Sequence, residues 1–387
     1  MKKKYNISLI GLEIDNDNLG CVALTLSFLN ILEQIGRDMG AEIDITAISY
    51  SDKKYECNDI ITNYDVIRVH PKRISFWKKL KKAFKEADII FDFTLGDSFS
   101  DIYGASRYIK TNLLKMIAER YSDRFILGPQ TYGPYSKAWS RKWAIKLIDN
   151  AYKVYSRDRQ SAEILKEMGI SDVKVVTDVA FGLPYDKAAL ESNGKIKVAI
   201  NPSGLLWAGG YTGNNQFGLT IDYKLYLKDV VGMLTADGRY DVYLLPHVGT
   251  TDGAGENDYE ICKKLHDLYP ETNVIDNIDS PIIAKNYISA MDVLIAARMH
   301  ATVAGVSSGV ATIPVAYSRK FSGLYNNIGY EYVLDVKVLD TKAAIEQTME
   351  WIDNYKKLEE SAIRSKEAVS AKLEMLTDDL KEVFKAV

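Results

Sequence analysis

Two turns in the C-terminal half of the chain carry residue types that could bind and protonate a small anion. Each turn follows a short apolar run, at 292–296 and at 311–316. The side chains of interest in these turns are Arg298, His300, Ser318, Arg319 and Lys320. Guanidinium groups suit carboxylates and phosphates, and an imidazole can donate a proton near neutral pH. The two turns therefore predict a binding site for a small dianion.

The predicted strands and helix around these two turns indicate that the turns lie close together. The apolar runs have no polar alternation, which is typical of strands covered on both faces. A segment rich in small residues separates them and predicts a helix, so the stretch indicates a βαβ unit. Parallel sheets bind ligands beyond the carboxyl ends of their strands, where both turns would lie.

Strand and helix patterns alternate along most of the chain, which is typical of α/β proteins with parallel sheets. At 387 residues the chain is long enough for two domains. The predicted parts are a first Rossmann-like domain at 1–183, a linker at 184–194, a second Rossmann-like domain at 195–340 and helices at 341–387. We expect the terminal helices to pack back on the first domain.

Four polar turns follow predicted strands in the first domain. Their amides, hydroxyls, carboxylates and glycine backbone would suit sugar hydroxyls, and each turn could equally be a helix cap or a rigid structural turn. The candidates are Asn18, Gly96, Asp97, Ser98, Asp101, Gln130, Thr131, Tyr132 and Arg157. All four turns would share one edge of a sheet, which favours a binding site.

Three further candidates follow strands in the second domain. Asn201 and Ser203 end one strand, and the glycine-rich segment after them could be a flap or a solvent loop. His247 lies just past another strand and could be structural or catalytic.

Composition narrows the function classes. The net charge of −3 offers no argument for nucleic acid, and Lys78–Lys82 with Lys85 predict a solvated helix face with at most peripheral membrane contact. Cys21, Cys57 and Cys262 are widely spaced, so we expect neither disulfides nor a metal site. No run approaches the roughly 20 apolar residues of a membrane span, which predicts a soluble, cytoplasmic protein, free or at the inner face of a membrane.

Several of these runs together resemble the polysaccharide pyruvyl transferase family. They are NDNLG, LGDSFSD, GPQTYGP, SRDRQSAEILKEMGI, TDVAF, NPSG, LLPHV, NDYE and ARMHATVAGVSSGVATIPVAYSRKFSGL. The last run is the most specific. The resemblance implies a GT-B-like fold with two facing domains. It also implies transfer of the enolpyruvyl unit of phosphoenolpyruvate to a sugar, free or lipid-linked, of a bacterial cell-surface polysaccharide precursor.

Site roles follow from this resemblance. The donor would bind at Arg298, Met299, His300, Ser318, Arg319, Lys320, Asn201 and Ser203, and the acceptor at the first-domain candidates. His300 would be the acid that protonates the donor, with Arg298 beside it, and His247, Asp97 or Asp101 would accept hydroxyl protons. Phosphoenolpyruvate is a co-substrate here, and the chemistry requires no cofactor or metal.

Two other functions remain open from sequence. One is a GT-B glycosyltransferase that uses a nucleotide-sugar donor, because fold alone does not determine function. The other is a non-catalytic sugar- or phosphate-binding relative. The first turn carries Cys21 where the family often has an acid, and the turn at Gly96 keeps a single glycine. These departures concern the acceptor more than the donor.

Overall fold

A computed structural model describes residues 3–14, 16, 18–50, 63–191, 193–249 and 257–387. The chain divides into two compact units. The first domain consists of Met1–Asn16, Leu24–Gly182 and Ala371–Val387, and the second of Asp17–Ala23 and Leu183–Ser370. The short segment Asp17–Ala23 thus groups with the second domain, which differs from the boundary predicted at 183.

The first domain is built on a parallel sheet. Its described strands are Lys4–Ile10 (β1), Glu42–Ser49 (β2), Tyr64–Arg68 (β3), Ile89–Asp92 (β4), Phe125–Gln130 (β5), Lys153–Ser156 (β6) and Lys174–Val175 (β7). Their order is β3-β2-β1-β4-β5-β6-β7, and every neighbouring pair is parallel. Every position of β4 and β5 is buried, whereas β1 exposes Lys4 and Asn6 at its start and is buried from Ile7 on.

Helices cover this sheet. They are Leu19–Met39 (α1, which begins in the second domain), Ile74–Glu86 (α2), Ala105–Tyr121 (α3), Ala138–Asp149 (α4) and Arg159–Glu167 (α5), with 3₁₀ turns at Thr94–Gly96 and Val179–Gly182. The end of the last helix, Tyr355–Lys385 (α13), packs on the same sheet. There the Tyr5 hydroxyl donates to the Phe384 carbonyl at 2.9 Å, and Tyr155 donates to Asp379. The prediction that the terminal segment packs back on the first domain is confirmed.

The second domain repeats the arrangement. Its described strands are Ile196–Asn201 (β8), Tyr240–Leu244 (β9), Asn273–Val274 (β10), Val293–Ala296 (β11), Ala311–Ala316 (β12) and Leu334–Asp335 (β13), in the order β10-β9-β8-β11-β12-β13. Its helices are Gly204–Trp207 (α6), Tyr223–Ala236 (α7), Asp258–Leu268 (α8), Pro281–Ser289 (α9), Met299–Ser308 (α10), Arg319–Ile328 (α11) and Thr341–Asp353 (α12). All neighbouring strands are parallel.

The small residues of α10 let it lie close to the sheet. A Cβ on Gly305 would come within 2.4 Å of Thr312 Oγ1 and 2.7 Å of Leu294 Cδ2. Only glycine fits at this approach. The register places Ala296 of β11 beside Asn201 of β8, so the turns that follow these strands meet at one edge.

Helix α1 corrects one expectation. Its length and composition would allow it to cross a membrane, although the sequence predicted no such run. Of its apolar window, 78% is buried within the protein, and a buried core helix passes the same test. The length of α1 is therefore weak evidence for a span.

Candidate active site

Arg298 forms the centre of the turn between β11 and α10. Its backbone N–H donates to Asn201 Oδ1 at 3.2 Å. Its guanidinium forms a buried ion pair with Asp258, with Nε at 3.2 Å from both carboxylate oxygens and Nη2 at 2.8 Å from Oδ1. A guanidinium held by a carboxylate in this way has a fixed orientation, which suits the recognition of a planar anion.

Asp258 is the anchor of this turn and was not predicted as a site residue. It is the first residue of α8 and is fully buried. Its carboxylate accepts the backbone N–H groups of Gly204 at 2.9 Å and Val248 at 3.0 Å as well as the guanidinium. A single carboxylate therefore ties the segments after β8, β9 and β11 together. The run NDYE was part of the family resemblance, but spacing alone assigned Asp258 no partner.

His247 is buried beside these charges. Burial lowers the pKa of its imidazole to about 3, and the nearby charges of His300 and Arg298 add to this effect. His247 is therefore neutral at physiological pH and a weak base. Because an effective general base has a pKa near the working pH, the structure argues against the predicted role of His247 as proton acceptor.

His300 is the second residue of α10 and is half-buried. Its ring lies against Gly20 at the start of α1, where a Cβ would come within 2.2 Å of His300 Nδ1. Asn18 Oδ1 accepts the Gly20 N–H at 3.0 Å, and Asn18 forms an antiparallel bridge with Val248. Asn18 thus lies with the residues predicted to bind the donor, although the sequence grouped it with the acceptor turns.

The second turn begins a helix that the sequence did not predict, α11. Ser318 is its N-cap residue, Arg319 is exposed, and Lys320 is half-buried. The Tyr325 hydroxyl of α11 donates to Thr302 Oγ1 of α10 at 2.5 Å. The N-termini of α10 and α11 follow the neighbouring strands β11 and β12, and helix N-termini favour anions.

Two predicted donor contacts have structural roles instead. The Asn201 side chain is buried, donates to the Leu245 carbonyl at 2.9 Å and accepts from Arg298. Ser203 is buried, and its hydroxyl caps α6 by accepting from the Leu206 N–H. Both residues position the turns rather than present polar atoms to a ligand.

A cavity of about 480 Å³ opens beside His247. Its wall includes the ring of Tyr259 and the carboxylates of Asp276 and Asp279. The Tyr259 hydroxyl donates to Asp276 Oδ1 at 2.7 Å. Carboxylates and an aromatic face suit a hydroxyl-rich ligand more than an anion.

The glycine-rich segment after α6 is held to the second turn. The Phe217 ring packs against Tyr317 with centroids 4.9 Å apart, and Tyr317 packs against Phe321 at 5.6 Å. These contacts tie the segment to the residues on both sides of Ser318.

In the first domain, several residues predicted to bind the acceptor make hydrogen bonds within the fold. Asp101 accepts from Ser136, Lys137 and Ser140 and so caps the start of α4; burial raises its pKa, but these hydrogen bonds outweigh that effect and lower it. Tyr132 is buried in the core, where its hydroxyl donates to the Tyr155 carbonyl.

Gln130 and Thr131 are likewise turned inward. Gln130 Nε2 donates to the Asp92 carbonyl at 3.1 Å. Thr131 Oγ1 accepts from Arg157 Nε at 2.7 Å, and Arg157 Nη1 pairs with Asp178 at 2.7 Å. Arg157 was expected to reach a ligand or to pair with Asp158; the structure shows it in an ion pair with Asp178.

The turn at Gly96 keeps a half-buried carboxylate. Asp97 accepts from Tyr103 at 2.9 Å and from Ser98, whose buried hydroxyl also accepts from Arg107. Gly96 has φ +81°, and a Cβ there would meet Leu24 at 2.7 Å. Gly96 is thus required by the close approach of α1.

No group of three or more His, Cys, Asp or Glu among the described residues is arranged to hold a metal ion. Cys21 and Cys262 form no disulfide among the described residues, and Cys57 lies outside those residues.

A sequence model of the polysaccharide pyruvyl transferase family matches residues 18–319, more than half of the chain. The chain belongs to this family. The matched range of this polysaccharide pyruvyl transferase family member contains Asp258, Arg298 and His300. A comparison with curated proteins gives no match.

Solved structures similar to this pyruvyl transferase family member share its fold at low identity. A candidate UDP-N-acetylglucosamine 2-epimerase from Listeria monocytogenes has a TM-score of 0.62 at 11% identity, covering 100% of this chain and 98% of that one. The Anabaena protein HepE in complex with UDP-glucose has a TM-score of 0.61 at 11% sequence identity, and the match covers 99% of this chain and 100% of that chain. The UDP-GlcNAc 2-epimerase from Neisseria meningitidis bound to UDP-GlcNAc has a TM-score of 0.58 at 10% sequence identity, and the match covers 98% of this chain and 100% of that chain. The prediction of a GT-B-like fold with two parallel-sheet domains is confirmed.

Proposed function

We propose that this family member transfers the enolpyruvyl unit of phosphoenolpyruvate to two hydroxyls of a saccharide, forming a pyruvate ketal and releasing phosphate. One observation carries the proposal. A guanidinium oriented by a buried carboxylate lies two residues before an imidazole at the N-terminus of α10. This arrangement supplies an anion-binding group and a proton donor side by side.

The donor carries a carboxylate and a phosphate, so it needs several cationic groups. Arg298, oriented by its ion pair with Asp258, would bind one of these anions. Arg319 and Lys320 at the start of α11, with the N–H groups of both helix N-termini, would bind the other. Binding of the two anionic groups by different turns would account for the cations on both turns.

His300 would protonate the methylene carbon of the donor, which becomes a methyl group. The adjacent carbon then develops oxocarbenium character and is attacked by the first sugar hydroxyl. Phosphate leaves with its bonding electrons, and the second hydroxyl closes the ring. Each hydroxyl loses its proton as its oxygen bonds to carbon. A positioned general acid contributes roughly 10²–10⁴-fold to such a step.

The saccharide would be recognised by hydroxyl acceptors. In the first domain, Asp97 is half-buried and accepts from Tyr103 and Ser98, whereas the Asp101 carboxylate caps α4. In the second domain, the cavity lined by Asp276 and Asp279 offers a second set of carboxylates beside His247. Whether the saccharide is carried by a lipid does not alter this chemistry.

A nucleotide-sugar glycosyltransferase is the second candidate, because two of the solved structures described above contain UDP-sugars. Asp276 and Asp279 could hold ribose hydroxyls in the same cavity. Thermal-shift measurements with phosphoenolpyruvate and with UDP-sugars separate the two functions, since only the preferred donor should raise the Tm.

The decisive experiment follows phosphate release from phosphoenolpyruvate with a panel of methyl pyranosides in deuterium oxide. We expect phosphate release to depend on the saccharide, and the methyl group of the ketal to contain one deuterium. His300→Ala should abolish both signals. Phosphate release without deuterium in the methyl group would contradict protonation at carbon, and no release with any saccharide would favour the glycosyltransferase.

A further inference from the structure

Helix α2 has two kinds of exposed side chain. Phe76, Leu80 and Phe84 form its buried stripe. Away from that stripe, Ile74 is 76% exposed and Trp77 is 39% exposed. The same exposed side carries Lys78, Lys79, Lys81, Lys82 and Lys85. Large apolar groups interspersed with cations are unusual on a surface that only meets water.

Helix α3 also exposes an apolar stripe. Ile109, Leu113 and Met116 are spaced at i, i+4 and i+7, which places them on one face, and Leu113 is 44% exposed. On α4, Trp139 is 43% exposed and packs edge-on against Tyr108 of α3 at 5.6 Å. The stripe therefore continues from α3 onto α4.

The three helices form one layer of the first domain. Lys81 and Lys85 of α2 place their Nζ atoms 5.9 and 5.8 Å from the ring centre of Tyr121 on α3. The contact between Tyr108 and Trp139 joins α3 to α4. We call the outer face of these helices the α2–α4 layer.

The charge of this layer is opposite to that of the whole chain. Helices α2, α3 and α4 carry five, four and three lysines and arginines respectively, of which Lys115 of α3 is buried against Asp92, and each helix carries one acidic residue. The chain as a whole has a net charge of −3. Positive charge is therefore concentrated on the surface that exposes the apolar groups.

We propose that the α2–α4 layer docks on an anionic phospholipid bilayer. Lysines near such a surface are attracted to its negative potential, and tryptophan and aliphatic groups enter the boundary between headgroups and acyl chains. A nucleic acid would match the lysines and leave Ile74 and Leu113 in water. A protein partner fits less well, because lysine is depleted in protein interfaces. The proposal is independent of the proposed catalytic function.

Sedimentation of the full chain with vesicles tests this docking. The vesicles are made of phosphatidylcholine alone or with phosphatidylglycerol. We expect binding to the anionic vesicles that weakens as salt rises, and little binding to neutral ones. The triple variant Lys78→Gln, Lys79→Gln and Lys82→Gln should bind about 100-fold more weakly, at about fivefold per lysine.

Matched variants control for lost charge alone. Lys342→Gln, Lys356→Gln and Lys357→Gln remove the same charge from exposed positions elsewhere, and both Lys82 and Lys342 have a glutamate partner four residues on. We expect this control to bind like the wild type. The Leu113→Ser variant should weaken vesicle binding several-fold, whereas Leu225→Ser, at a position 46% exposed in the second domain, should not.

Three results would overturn the docking proposal. They are absence of binding to anionic vesicles at low salt, equal loss of binding in the two lysine triples, and binding to heparin as tight as to vesicles with no effect of Leu113→Ser. The last result would indicate a general affinity for polyanions. Phosphate release with soluble saccharides should stay unchanged in all these variants, because none of the substituted residues belongs to the proposed donor site.

Discussion

Each domain contains a buried arginine just past a strand and just before a helix, paired with an aspartate, and the two pairs differ in what lies next to them. In the first domain, Arg157 follows β6 and pairs with Asp178; in the second, Arg298 follows β11 and pairs with Asp258. The Arg157 side chain is 2% exposed and the Arg298 side chain 9%.

The neighbours of the two arginines explain the contrast. Arg157 also donates to Thr131, and the next residue, Asp158, caps α5 by accepting the Ser161 N–H at 2.7 Å. Asp178 and Thr131 hold Arg157 within the fold. Arg298 is followed at the second position by His300, and buried His247 lies nearby. The same strand-to-helix turn thus has structural contacts in the first domain and forms the candidate active site in the second.

The largest expected effect follows removal of the proposed acid. His300→Ala should lower kcat by roughly 10²–10⁴-fold, because protonation of the donor carbon loses its donor. Phosphoenolpyruvate binding, measured by calorimetry, should change little, since the cations remain. Turnover close to wild type would remove His300 from the mechanism.

The two aspartates offer a matched comparison. Asp258→Asn should raise the KM for phosphoenolpyruvate roughly 10- to 100-fold, because Arg298 loses the ionic partner that orients it. Asp178→Asn should leave that KM unchanged. Both variants break a buried pair and should lose about 3–5 kcal/mol of stability. Steady-state kinetics with denaturation curves measure both effects, and an equal change of KM in the two variants would contradict the assignment.

A smaller effect is expected where α1 meets the imidazole. Gly20→Ala places a methyl group against His300 Nδ1 and should displace the ring, lowering kcat/KM roughly tenfold. The control is Gly238→Ala, where a Cβ meets no atom within 4 Å. The two variants should have similar Tm values. Full activity in Gly20→Ala would show that the position of the ring is not critical.

The smallest effect concerns pH and stability. His247 has a pKa of about 3 when folded and about 6.5 when unfolded. Between these values the unfolded chain binds the proton, so stability falls as pH decreases from about 6.5. His247→Asn should remove about 1.6 kcal/mol of the stability that is lost between pH 6.5 and pH 5. Urea denaturation at both pH values measures it, and an identical pH dependence in wild type and variant would refute it.

Most helices and strands follow from local pattern. The apolar run at 311–316 was predicted with the bounds observed for β12, Ala311–Ala316. The two-residue strands β7 and β13 were missed, as was α11. Strands of two residues carry too few side chains for any period to show. Helix α11 mixes buried tyrosines with polar residues at its exposed start.

For the site, the sequence predicted candidate residue types after strands, but it did not separate Arg298 from Arg157, which also follows a strand and has structural partners. The residues that contact Arg298 and His300 could not be predicted from the sequence. Asp258 lies 40 residues before Arg298, and Gly20 lies far from His300 in sequence.

The sequence by itself therefore determined the layered α/β class, the family and the turn that carries Arg298 and His300, since these depend on neighbouring residues and local periodicity. Only the tertiary structure decided which polar groups are already satisfied. It assigned Tyr132, Asp101, Asn201 and Ser203 to the framework and made His247 neutral, because burial and long-range hydrogen bonds arise only when distant strands are brought to one edge of a sheet.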